Sequence, residues 1–88
     1  MKMFVVYDSK ASSYGTPFFM RSSPEAIRSF ETIANDKSSS IGMYPADFTL
    51  FEIGEYCDLS GNVTLHDARR NLGTALELVR APAVGGVS

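Results

Sequence analysis

Ser22-Ser23-Pro24-Glu25-Ala26-Ile27-Arg28-Ser29-Phe30-Glu31-Thr32-Ile33-Ala34-Asn35 is the stretch on which the fold turns. Ala26, Ile27, Phe30, Ile33 and Ala34 recur at spacings of three and four, which gives a helix one apolar face and turns Arg28, Glu31 and Thr32 away from it. Ser22 or Ser23 caps the free N–H groups, Pro24 has its φ preset for a first turn, and Glu25 suits the positive end of the helix dipole. Ser22 and Glu25 have capping-box spacing. Asn35 is read as a left-handed stop.

Outward from this helix the chain alternates in short runs. Met3 to Ser9, rich in Phe, Val and Tyr, predicts a strand, and the polar stretch from Lys10 to Thr16 predicts a turn. Phe18-Phe19-Met20 is a second strand with Pro17 at its start, where the missing N–H does no harm, and the two strands are expected to pair as a hairpin. Of the adjacent Phe18 and Phe19, one ring must face inward and the other outward. On the other side, Asp36 to Asp47 has neither period and reads as a loop. Phe48 to Tyr56 is the best strand candidate, with Gly54 as a bulge; Asp58-Leu59-Ser60-Gly61 turns the chain back into Val63-Thr64-Leu65. Leu72, Ala75, Leu76 and Val79 have helical spacing, so Asp67 to Arg80 is expected to form a second helix capped by Asp67 and weakened by Gly73. The resulting reading is an α+β domain over residues 1–80: a small antiparallel sheet of about four strands in the order β-β-α-β-β, one main helix on one face, and a C-terminal helix. Residues 81–88 are expected to be a flexible tail.

With 88 residues there is material for one core, and a domain of this size is marginal alone, which makes a homodimer the expected state. Eight Lys and Arg against ten Asp and Glu give a net charge of −2, and one charged residue in five excludes a polybasic condenser of nucleic acid. The charge is segregated, however. Residues 1–37 hold five basic against four acidic side chains and residues 69–88 three against one, while 38–68 hold five acids and no Lys or Arg. Interleaved with the N-terminal cations are Tyr7, Tyr14, Phe18 and Phe19, and rings beside cations are what a sequence-tolerant single-strand site needs. Lys10, Arg21 and Arg28 are therefore the candidate phosphate contacts, and Tyr14, Phe18 and Phe19 the candidate stacking residues.

The remaining residue types argue against chemistry. His66 has no partner cysteine and no GxSxG nucleophile, and Cys57 has no second cysteine and a neighbouring Asp58 that raises a thiol pKa. Asp47, Glu52, Glu55, Asp58 and Asp67 lack EF-hand or HExxH spacing and read as a solvated acidic surface. No enzyme, cofactor or metal is implied. A lone cysteine fits a reducing compartment, and no apolar run approaches the length of a membrane span.

Val6-Tyr7-Asp8-Ser9-Lys10-Ala11, Pro17-Phe18-Phe19, Ala26-Ile27-Arg28-Ser29-Phe30, Asn35-Asp36, Pro45-Ala46-Asp47-Phe48-Thr49-Leu50 and Gly54-Glu55 through Gly61 form an ordered set over residues 1–63. As an ensemble it resembles the small nonstructural protein of gokushovirus-type microviruses, which are single-stranded DNA phages. The resemblance implies a non-enzymatic accessory protein of the host bacterial cytoplasm, acting in genome replication or packaging. It assigns no DNA-contacting residue and does not cover the segment from Thr64 onward. Taken with the basic-aromatic half it leads to an expectation of single-stranded DNA binding. The alternative is an adaptor that engages the replication initiator, the procapsid or a host factor without touching DNA, which the net negative charge favours.

Overall fold

A computed structural model describes residues 1–80, and the expected tail at 81–88 lies outside them. The elements are β1 (Lys2–Asp8), β2 (Ser13–Tyr14), β3 (Phe18–Met20), α1 (Ser23–Ala34), α2 (Ser40–Met43), a 3-10 turn (Pro45–Asp47), β4 (Phe48–Tyr56), β5 (Val63–Thr74) and α3 (Ala75–Leu78). All pairings are antiparallel: β5 pairs with β4, β4 with β1, and the far edge of β1 is shared by β2 and β3. The architecture is thus the expected α+β sheet and helix, with five strands instead of four. The added strand is Ser13–Tyr14. It forms because Ser12, at φ 53°, turns the chain back and Gly15 N–H donates to Val6 C=O at 2.8 Å.

Helix α1 begins as its sequence dictates. Ser22 Oγ accepts from Glu25 N–H at 3.3 Å, and Ala26, Phe30 and Ala34 are its buried positions. Ile33, assigned to the apolar face, is exposed instead. Asn35 ends the helix at φ −95°, so it is not the left-handed stop its type suggested. Its side chain does the work: Nδ2 donates to Glu31 C=O and Leu78 C=O, and Oδ1 accepts from Arg80 N–H. The helix end is thereby tied to the last turn of the domain.

Strand alternation divides the sheet into two faces. Phe4 and Leu50 point to α1 and, with Ala26, Phe30, Ala34 and Ala75, form the core; Val6, Phe18, Met20, Phe48 and Leu72 pack around it. Met3, Val5, Tyr7, Tyr14, Phe19, Phe51 and Ile53 alternate to the outer face.

Two stretches depart from the sequence reading. The expected loop at 36–47 contains α2 and the 3-10 turn, because Ser39 Oγ accepts from Gly42 N–H while the Asp36 carboxylate takes the hydroxyl and N–H of Ser38. Such side-chain bonds order a short segment without periodicity. The expected helix over Asp67–Arg80 is replaced up to Thr74 by β5, and only Ala75–Leu78 is helical. Gly73 stands at φ +119°, a conformation that no helix accommodates, and its ladder to Leu50 fixes the chain as strand. Thr74, not Asp67, caps α3, in a capping box with Glu77.

Candidate functional site

Two polar constellations meet along β5. The first lies on the helix side. Glu52, opposite Arg70 in the ladder, is 0 % exposed, and each of its oxygens is engaged. Ser23 Oγ, at the start of α1, donates to Oε1 at 2.6 Å, and His66 Nε2 lies 2.7 Å from Oε2. Lys2 Nζ is 3.6 Å from Oε2, and Arg70 Nη1 is 3.4 Å from both oxygens. Burial by itself would raise the carboxyl pKa. The bonds from Ser23 and His66 and the charges of Lys2 and Arg70 outweigh it and bring the value down from 4.5 to about 2. Glu52 therefore departs from the solvated acidic surface read from the sequence. No sequence motif announces it: the partners come from three separate elements, β1, α1 and β5, and are gathered only by the sheet register.

This arrangement is a staple of β1, β4, β5 and the start of α1. The carboxylate stands between the hydroxyl and the imidazole, so His66 does not address Ser23. A nucleophilic triad requires the imidazole in that middle position. Among the described residues no group of three His, Cys, Asp or Glu side chains is placed to hold a metal ion.

The second constellation occupies the outer face. The Tyr7 and Tyr14 rings are 4.7 Å apart, Phe51 meets Tyr14 edge-on at 6.4 Å, and Phe19 lies 5.7 Å from Tyr56. These make two aromatic groups. They are separated along β1 by the four-residue step from Met3, the partner of Phe19, to Tyr7, the partner of Tyr14, about 13 Å at strand rise. Arg69 reaches across from β5: its guanidinium lies 4.7 Å from the Tyr14 ring centre and donates to the Tyr14 hydroxyl. Arg69 faces this side because its neighbour Arg70 pairs with the inward Glu52, and β5 is bulged just before it. Glu52 pairs with Arg70 and Gly54 with Leu65, which leaves His66 to Arg69 opposite the single residue Ile53. Gly54 permits this crossing, since a Cβ there would collide with Thr64 C=O. The irregularity falls beside Gly54, where the sequence placed a bulge, although the extra residues belong to β5; alternation along β5 then turns His66 and Arg70 to the buried carboxylate and Arg69 to the open face.

Of the six residues singled out from the sequence, the structure brings Tyr14 and Phe19 to one face, both a little over 40 % exposed. Phe18 is the inward ring of its pair, stacked on Phe4 at 5.6 Å in the core layer, which removes it from the stacking set. Lys10 lies in the β1–β2 turn at the Tyr14 end of the sheet, and Arg21 follows β3 at the Phe19 end; both are exposed. Arg28 is exposed on α1, across the sheet from Tyr14, and does not join them. Arg69, Phe51 and Tyr56 were missed because they belong to the face only through the register of β4 and β5.

Cys57 is exposed at the end of β4. A hydrogen bond from the Ser60 side chain, followed by the backbone N–H groups of Ser60 and Leu59, lowers its thiol pKa. Asp58 opposes this more weakly, so the net direction is opposite to the one read from Asp58 alone.

The profile of the phage ORF5 protein family matches residues 1–78. The chain belongs to this family. No curated protein and no solved structure matches it. The match runs through the whole of β5 and reaches α3, so the bulged strand that carries His66, Arg69 and Arg70 lies within the family region, beyond the point where the sequence likeness ended. This phage ORF5 family member has no helix long and apolar enough to cross a membrane among its described residues.

Proposed function

We propose that this phage protein is a non-enzymatic accessory factor that binds single-stranded DNA on the outer face of its sheet. The observation that carries the reading is the pair of aromatic groups on that face with Arg69 lodged over Tyr14. Exposed rings give any base a stacking surface and cations neutralise phosphates, and sheets whose rings take unstacked bases are an established solution to single-strand recognition. Lys10 and Arg21, at the two ends of the face, supply further charge along a strand's path. The resemblance to the nonstructural protein of gokushovirus-type microviruses supports a place in genome replication or packaging in the host cytoplasm. A homodimer would offer one DNA strand two such faces.

Fluorescence anisotropy of a labelled single-stranded oligonucleotide, titrated at low and physiological salt with duplex DNA as competitor, tests the reading. Binding is expected to favour the single strand and to weaken with salt. Arg69→Ala should reduce the salt slope by about one, whereas Arg28→Ala, on the far side of the sheet, should leave it unchanged. Absence of binding at low salt would favour the adaptor reading, which the net charge of −2 supports and which assigns the aromatic face to the replication initiator, the procapsid or a host protein.

A further inference from the structure

Between the Tyr14–Arg69 clasp and Leu65 the outer face opens into a groove of about 570 Å3. Its floor is apolar, formed by Val5, Phe51 and Ile53, and its β5 wall carries Asp67 next to Arg69. The volume is within the usual range for sites that hold one small molecule, and it suits a single nucleotide. Besides Tyr14 and His66, which also line the groove, two charged side chains of opposite kind stand over that floor. Arg69 is a donor and a cation. Asp67 is an acceptor that makes no hydrogen bond or ion pair with any described residue, although Arg69 and Arg70 follow it closely in the chain.

We infer that this groove holds one nucleotide of the bound strand and that Asp67 reads its base, selecting against thymine. The inference rests on the proposed single-strand binding and goes beyond it by assigning a specificity residue. A base lying on Phe51 and Ile53 turns its edge toward the wall, with the Arg69 guanidinium left for the phosphate. An ionised carboxylate there accepts hydrogen bonds and donates none. Cytosine and adenine offer an exocyclic amine to such an acceptor, and guanine offers its own amine. Thymine offers a single ring N–H flanked by a carbonyl oxygen on each side, so a carboxylate beside its edge gains one hydrogen bond and faces an acceptor on either side of it. A carboxylate at this place also repels phosphate, a cost that a purely sequence-tolerant site would have no reason to carry.

The test compares oligo(dC) with oligo(dT) of equal length, two pyrimidines with like stacking area, by anisotropy at low salt, for the full chain and for Asp67→Asn. Asp67 is exposed and has no partner among the described residues, so the variant should keep its far-ultraviolet circular dichroism. The wild type is expected to bind oligo(dC) about tenfold more tightly than oligo(dT), and the variant, whose amide both donates and accepts, should lose that preference. Equal binding of the two oligonucleotides by the wild type overturns the inference and leaves the parent reading standing. A preference that survives in Asp67→Asn, or a variant that binds both more tightly by the same factor, also overturns it, the latter marking Asp67 as a plain repulsive charge. No binding of either oligonucleotide removes the parent reading together with this one.

Discussion

The two faces of the sheet are built from alternate residues of the same strands and have opposite fates. On the helix side Phe4 and Leu50 are fully buried under Ala26, Phe30 and Ala34, and the buried charge there, Glu52, is bonded on both oxygens. On the outer side no helix of the described residues packs. Met3 and Val5 are buried there, opposite Phe19 and Phe51 in the ladder, while Tyr14 and Phe19 keep more than two-fifths of their surface exposed. The difference teaches that aromatic content alone does not distinguish core from site. A ring is core where a second layer covers it, and an offered surface where only neighbouring rings and one arginine do.

Truncations on the two faces should break the comparison if it is wrong. The largest effect is expected from Phe30→Ala, which empties the space between α1 and the sheet and should cost about 4 kcal/mol in urea unfolding. In a domain this small that is a large share of the stability. Next comes Glu52→Gln, which replaces charge-assisted bonds by neutral ones and should cost about 2 kcal/mol at neutral pH. The pH dependence sharpens the point. Because the folded carboxyl titrates at about 2 and its ordinary value is 4.5, its contribution is fully present above pH 4.5 and is lost as pH falls through about 2. Wild type and Glu52→Gln should therefore converge in stability on acidification over that window, and a constant difference down to pH 2 would contradict the role given to Glu52. The smallest effect belongs to the outer face: Tyr14→Ala should cost about 1 kcal/mol, the worth of its ring contacts. A cost matching that of Phe30→Ala would make the outer face a second core and remove the main support for DNA binding there.

Much of the helix side was legible in the residues. The Ser22 cap, the Ala26–Phe30–Ala34 stripe and the strand from Phe48 to Tyr56 rest on local periodicity, and local periodicity survives folding. Gly61, assigned to the turn before β5, does adopt positive φ, at +77°. The C-terminal third was misread for an equally physical reason. Leu72, Ala75, Leu76 and Val79 have helical spacing, but Leu72 faces the core from a bulged strand and the helix begins only at Ala75. The pairing of β5 with β4, made across a long separation in sequence, overrides a pattern of four residues. The candidate site was half legible. Tyr14 and Phe19 came from ring and charge composition, whereas Phe18 was taken by the core and Arg28 by the far side of the helix.

By itself the sequence determined an α+β domain: which segments are apolar on one side, where the main helix starts, and that Phe18 and Phe19 must part company. Only the tertiary structure decided which ring of that pair is covered, that Glu52 is a buried staple, and that Arg69 lies over Tyr14. The reason is one of range. Caps, turns and alternation are set by neighbours within a few residues, whereas the partners of Glu52 come from Lys2, Ser23, His66 and Arg70, and Arg69 meets Tyr14 across 55 positions of chain. A register shift of one residue at Gly54 would turn those side chains to the other face, and no local pattern encodes that shift.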